Sequence, residues 1–310
     1  MKKAKLITMI CWAVSALALL GLLAWLIIGG AFNLGFGGFG AFDIVEEHSV
    51  PAENIRSLDV DWTSGRVSVG VHDSPDIQVT SFARRDLRSG EEMGLSTDGS
   101  TLTVRFAQRR GLSVNLTKQL EILIPRELSE NFENFHINTV SGRVEVRGMS
   151  ADDVTVSTTS GRIELQQITA QALNAATTSG RIELSSIQAE EISLRTVSGR
   201  VETHNVETGR LQTQTTSGRH ELYGSFGTVN ARSVSGRIGV ISQVVPERLA
   251  AHATSGRIEV TVPGGEAISV EYSTSSGRFS SAIPIITHSG NDAQFNLSTT
   301  SGRISIYELR

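Results

Sequence analysis

The side chains with the most chemical potential in this sequence are arginines set at a fixed distance from one another. Arg143, Arg162, Arg181, Arg200, Arg219, Arg237 and Arg257 each close a Ser-Gly-Arg tripeptide. Glutamates follow two residues after most of them, at Glu145, Glu164, Glu183, Glu202, Glu221 and Glu259. A guanidinium presents its donors in a planar fork that matches phosphate or carboxylate. Seven of them in a row could form a stripe for an anionic ligand. The same spacing supports a structural alternative, in which rows of opposite charge brace each other and the acids repel such a ligand. Either reading requires the arginines to be brought into line.

The repeat supplies that line. Ser-Gly-Arg occurs ten times, starting at Ser64, Ser141, Ser160, Ser179, Ser198, Ser217, Ser235, Ser255, Ser276 and Ser301. From Ser141 the starts are 19, 19, 19, 19, 18, 20, 21 and 25 residues apart. A fixed period of this size marks a stacked repeat. Before each tripeptide, apolar or small residues alternate, as in Leu173, Ala175 and Thr177. After it, pairs such as Ile182 and Leu184 point one way and Arg and Glu the other, because successive side chains of a strand alternate faces. A third short segment holds one apolar residue per turn, such as Ile168, Ile187 and Val206. The expected fold is an all-β, β-helix-like solenoid of about 19 residues per coil, with two clear strands per coil and room for a third. Coils about 4.8 Å apart would carry the eight intervals over roughly 38 Å. The glycine of each corner supplies either a positive φ or room for neighbouring backbones to approach. The insert Ser281–Asn296, with Pro284, reads as an irregular terminal cap.

Residues 43–136 are β-rich but do not keep the period. Alternating runs at Ser57–Val71, Ile77–Phe82, Leu102–Phe106 and Leu120–Ile124 read as half-buried strands. This region is expected to be an N-terminal β-unit that starts and caps the stack, with the solenoid repeats proper in 137–310.

Ahead of it, Leu6–Ile28 is an uncharged apolar run of 23 residues, long enough to span a bilayer. Lys2, Lys3 and Lys5 precede it, so residues 1–5 are expected in the cytoplasm and everything after the span outside it. The run is longer than a cleavable leader needs, which favours an uncleaved single-pass anchor. Residues 29–42, rich in Gly and Phe, form a linker; its phenylalanines could rest at the membrane interface or cover the base of the first domain.

Charge narrows the function. Of 28 basic residues three are the leading lysines, leaving 25 against 32 acidic, a net of −7 beyond the anchor. That balance argues against nucleic acid as a partner. The one cysteine, Cys11, lies in the apolar run, so no intramolecular disulfide is possible. The histidines His48, His72, His136, His204, His220, His252 and His288 show no metal-ligand spacing, and each reads as a surface or ladder residue. No catalytic constellation stands out, and no cofactor or metal is expected.

The repeated T-[TV]-S-G-R-[IV]-E-[LV] behind an N-terminal anchor resembles the bacterial "putative adhesin" domain family of unknown function, many members of which carry Ser-Gly-Asp in place of Ser-Gly-Arg. The resemblance covers roughly residues 43–310 and implies a β-solenoid exposed at the bacterial cell envelope. Some related proteins are associated with envelope-stress signalling and antimicrobial-peptide sensing. The expectation is therefore a non-catalytic envelope protein in adhesin-like binding or envelope-stress scaffolding. Its partners would be the membrane and an envelope polymer, an antimicrobial peptide or another envelope protein. The alternatives are a self-assembling structural solenoid and an envelope polysaccharide-acting enzyme, the latter requiring a cleft with convergent carboxylates.

Overall fold

The computed structural model describes residues 42–107, 116–130, 132–265, 268–286 and 293–309. The chain divides into two compact units, Met1–Phe42 and Asp43–Arg310. The expected anchor and most of the linker lie outside the described residues. Among those that are described, no helix is long and apolar enough to cross a membrane.

The second unit is a stack of β-coils. Its elements are β1 (Asp43–Pro51), β2 (Ser57–Ser64), β3 (Val67–His72), β4 (Asp76–Ala83), β5 (Gly94–Asp98), β6 (Thr101–Arg105), β7 (Lys118–Pro125) and a short helix α1 (Arg126–Ser129). They are followed by β8 (Phe132–Ser242), β9 (Arg248–Pro263), β10 (Ile268–Ser281), β11 (Ile285–Ile286) and β12 (Ala293–Leu309). β8 is extended almost without break for 111 residues because it winds through successive coils, each in parallel register with the last. Thr228–Ile241, for example, lies against Arg248–Thr261 of β9.

Each coil has three straight segments, here called a, b and c. In one coil, segment a buries Leu173, Ala175 and Thr177; b buries Ile182 and Leu184; c buries Ile187 and Ala189. The alternation breaks between Thr177 and Ile182 and again between Ala189 and Ile192, which marks two corners. The third, between b and c, bears a left-handed residue: Gly148 (φ 72°), Gln167 (54°), Ser186 (55°) and Asn205 (53°). Non-glycine residues seldom adopt this conformation, and its recurrence at one position of the coil shows that the stack imposes it. The expected third segment is thus present, and apolar columns run the length of the interior.

The Ser-Gly-Arg corner settles the role of its glycine. A Cβ on Gly161 would stand 1.7 Å from the carbonyl oxygen of Gly142, and one on Gly180 1.7 Å from that of Gly161. The same collision recurs up the column. Close approach of backbones is the common requirement, and a left-handed φ such as that of Gly65 (106°) is incidental to it.

The column also gives the order of the coils, which departs from the sequence at both ends. Ser64 pairs with Ser141, so the isolated first copy of the motif is the immediate neighbour of the second although they stand 77 positions apart in sequence. At the far end β9 pairs with β12, and β12 with β10. The corner at 301–303 therefore sits between those at 255–257 and 276–278, and the Pro284-bearing insert does not form the last coil as expected. It is a crossover: the chain leaves one slot open, builds the coil beyond it and returns to fill the gap.

At the N-terminal end, β6 continues the stack beneath β2, and β7 beneath β3. Antiparallel strands then cover them, β5 on β6, β4 on β7 and β1 on β4. Inside this cap the lone lysine of the described chain, Lys118, is fully buried. Its ammonium donates to the Glu91 carbonyl at 2.6 Å and lies 3.9 Å from Glu46. It also sits 4.8 Å from the Phe106 ring centre and 5.2 Å from that of Trp62, within cation–π range. Burial pushes its pKa down to about 8 against the opposing pull of Glu46, Glu91 and Glu92.

Candidate functional site

Segment b carries the Arg and Glu rows on one outer face, and the two rows are ion-paired. Arg143 reaches Glu145 and Glu164, both at 2.5 Å. Arg162 holds Glu164 at 3.0 Å, Arg200 holds Glu202 at 2.9 Å and Arg219 holds Glu221 at 3.1 Å. Arg181 bridges to Glu202 and Arg237 to Glu259, each at 3.7 Å, and Arg257 lies 3.4 Å from Glu259. Below them Arg66 pairs with Glu145. Some pairs lie within a coil and others join consecutive coils, so the network ties neighbours together. Glu145, Glu164 and Glu202 lie deep and the guanidiniums fold over them: the Glu164 side chain is 7 % exposed and that of Arg162 43 %, whereas Glu221 is as open as Arg219. Burial alone would raise the Glu164 pKa, but hydrogen bonds from Arg143 and Arg162 outweigh it and hold the group below its usual range.

Glu183 has no ion pair among the described residues, because Arg181 turns to the next coil. It comes together with Glu202 and His204, one donor atom of each lying within 4.8 Å of the others. This grouping was missed in the sequence, although a glutamate one period before Glu-x-His signals it. Glu202 has both carboxylate oxygens engaged by Arg200 and Arg181, so the trio is short of free donors for a cation.

The histidines divide. His204 is exposed on the outer face, whereas His220 occupies the column held by Val201 below and Ile238 above and is fully buried. That corrects its reading as a surface or ladder residue. Neither ring nitrogen has a well-formed hydrogen bond. Burial pushes its pKa down to about 4, opposed only in part by the Arg232 backbone. The signal was present in Ser-Gly-Arg-His, where eight of the other nine copies have Ile or Val and one has Phe279.

Segment a presents a different outer face. One of its columns reads Asn138, Ser157, Ala176, Arg195, Gln214 and Arg232, and the next Val140, Thr159, Thr178, Val197, Thr216 and Val234. Hydroxyl, amide and small apolar groups alternate, and in the central coils acids stand only towards the rim, at Asp153 and Glu191. Arg195 and Arg232 make no ion pair among the described residues, in contrast to the seven corner arginines. A shallow trough of about 430 Å³ runs along Asn138, Ser157, Thr178, Arg195, Val197 and Gln214. Two further depressions on this face include Arg195, Gln212 and Arg232, and Asn174, Ser193 and Arg210. Sequence reasoning fixed on the repeated Arg and passed over this face, since its outward residues differ from coil to coil.

The fold and its faces define a three-sided parallel β-solenoid with one ion-paired wall and one neutral to basic wall. The chain belongs to the Toastrack DUF4097 family, which matches residues 55–307. Solved structures share the fold. A "putative adhesin" from Parabacteroides distasonis aligns at 12 % identity and TM-score 0.56, over 86 % of this chain and 98 % of its own. Another protein of that description, from Parabacteroides merdae, aligns at 10 % identity and TM-score 0.55, over 88 % and 98 %. A "putative lipid binding protein" from Parabacteroides distasonis aligns at 14 % identity and TM-score 0.51, over 86 % and 96 %. No curated protein matches the chain.

Proposed function

We propose that this protein is a non-catalytic binding module of the bacterial cell envelope, held at the membrane by residues 6–28 with the solenoid outside. In this reading segment a is the binding wall and an anionic, hydroxyl-rich envelope polymer is the ligand. The observation that carries it is the pair Arg195 and Arg232, without an ion pair among the described residues and set two coils apart in a field of Thr, Ser, Asn and Gln. Such a wall offers charge-assisted hydrogen bonds at intervals of roughly 9.6 Å along the stack, a spacing suited to a polymer lying across the coils. The seven corner arginines are the rival set, and their glutamates oppose an anion there. Names borne by structural neighbours, adhesin and lipid binding, fit a surface that holds envelope components.

The test compares two variants of the full chain, Arg195→Gln/Arg232→Gln and Arg162→Gln/Arg181→Gln/Arg200→Gln. Binding is measured to purified teichoic acid and to anionic lipid vesicles. The double variant should lose most of the binding and the triple variant retain it. Loss in the triple variant alone would move the site to the corner row. Full retention in both would remove the anion-binding reading altogether. Preference for vesicles over teichoic acid would identify a headgroup as the ligand.

A further inference from the structure

The two ends of the stack are finished differently. Two strands are outermost at the N-terminal end: β1 carries Asp43, Glu46, Glu47 and Pro51, and β5 is only five residues long and ends in Asp98, devices that keep a strand edge from pairing with another chain. β10, the last coil at the other end, has neither proline nor a run of charge. Only Ile268 and Ser269 are paired on its outward side, by β11; among the described residues nothing pairs with the edge from Val270 onward.

Core positions are uncovered there. Tyr272 lies in register with Leu297 of β12. Leu297 is fully buried, whereas Tyr272 is 51 % exposed. Phe279 is only partly buried where its neighbour Ile304 is completely so. The two rings stack on each other at 3.9 Å across the open end. The charge ladder also stops short. The residue two after Arg278 is Ser280, not Glu, and Arg278 has no ion pair among the described residues. On the other side of the corner stands Glu271, which among the described residues accepts from Asn296 and has no ion pair.

We infer that β10 pairs with β10 of a second copy of this chain, antiparallel, about a two-fold axis passing between Thr274 and Ser275. That register sets Glu271 opposite Arg278 of the partner subunit, and Arg278 opposite Glu271 of the partner subunit. It also lays Val270 against Phe279 of the partner subunit and Tyr272 over Gly277 of the partner subunit, where no side chain obstructs the ring. The axis runs through the corner, so segment a of one copy stacks on segment b of the other. An isologous contact of this kind closes on itself, and neither the acidic, proline-bearing β1 edge nor the short β5 edge gives a second sticky end. The assembly is a dimer and not the open polymer that end-to-end strand addition would produce. It does not depend on what the outer walls bind.

The experiment is sedimentation of the full-length chain in mild detergent, with circular dichroism as the check on folding. The wild-type chain should sediment as two copies. Glu271→Arg and Arg278→Glu each set like charges opposite one another twice, and each should weaken the dimer at least about tenfold. The double variant Glu271→Arg/Arg278→Glu restores both pairs and should recover the dimer to within about threefold. A wild-type monomer at about 100 μM, an open polymer, a dimer indifferent to the single variants, or a double variant no better than the singles would each overturn the inference.

Discussion

The N-terminal cap and the regular coils each bury one base, and they do so in opposite ways. In the cap, Lys118 is enclosed by the Glu91 carbonyl, the Glu46 carboxylate and the faces of Trp62 and Phe106, contributed by separate strands and loops. In the repeat, His220 stands in a column of mostly Ile and Val, where neither ring nitrogen has a well-formed hydrogen bond. An irregular region can shape an environment around one residue. A repeat can only offer each residue what its neighbours one coil away provide. The cap is therefore specific and singular, and the repeat redundant but intolerant of anything that alters the spacing between coils.

The harshest challenge to that contrast is a methyl group in the glycine column. Gly161→Ala puts a Cβ into the Gly142 carbonyl, and nothing short of separating two coils relieves it. A loss above about 4 kcal/mol is expected in chemical denaturation, among the largest single-substitution effects. Gly99→Ala, in the cap with open space around it, should cost only about 1–2 kcal/mol through its left-handed φ. Next comes Lys118→Ala, which strips the Glu91 carbonyl of its ammonium and leaves a cavity against Trp62 and Phe106, while Glu46 keeps Ser81 and the Met93 amide. It should cost about 3–5 kcal/mol, and the loss should centre on the cap when hydrogen exchange is followed segment by segment.

The pH dependence separates the regions more gently. The His220 pKa is about 4 in the fold against roughly 6.5 unfolded. The unfolded chain thus binds the extra proton between these values. Its share of stability is complete above about pH 6.5 and is lost as pH falls towards 4, by about 2 kcal/mol at pH 5. His220→Val should flatten this slope in denaturant titrations at pH 7 and pH 5; an unchanged slope would assign it to other groups. The smallest effect is expected for Arg162→Gln. Glu164 lies deep but keeps Arg143, so its charge stays paired, and the half-exposed Arg162 contributes on the scale of a surface partner, about 0–1 kcal/mol; the thermal midpoint should barely move.

The period was legible because each coil repeats the same burial problem, and Thr, Ile, Leu and Gly answer it in the same places. The third corner was harder to read. Gly148, Gln167, Ser186 and Asn205 share a backbone conformation but no side-chain type, since tertiary packing enforces the left-handed φ that local preference would supply only at glycine. Coil order was not legible at all. Every Ser-Gly-Arg offers the same glycine, so the column accepts Gly302 above Gly256 as readily as it would Gly277. The corner arginines were found by their spacing, but the wall with unpaired guanidiniums was not, because outward residues on segment a are free to vary and leave no periodic mark.

The exchange of the last two coils has a consequence in time. A parallel solenoid made in order could grow as it emerges, each coil settling on the one before it. Here β10 is synthesised after β9, yet its only long-range neighbours are β12 and the two-residue β11. Until β12 is made, β10 has no seat in its final place, and the temporary alternative is to settle directly on β9, where the glycine column would admit it. β12 must then enter between two coils already present. β12 acts as a keystone, and the finished wall depends on a strand made after both of its neighbours.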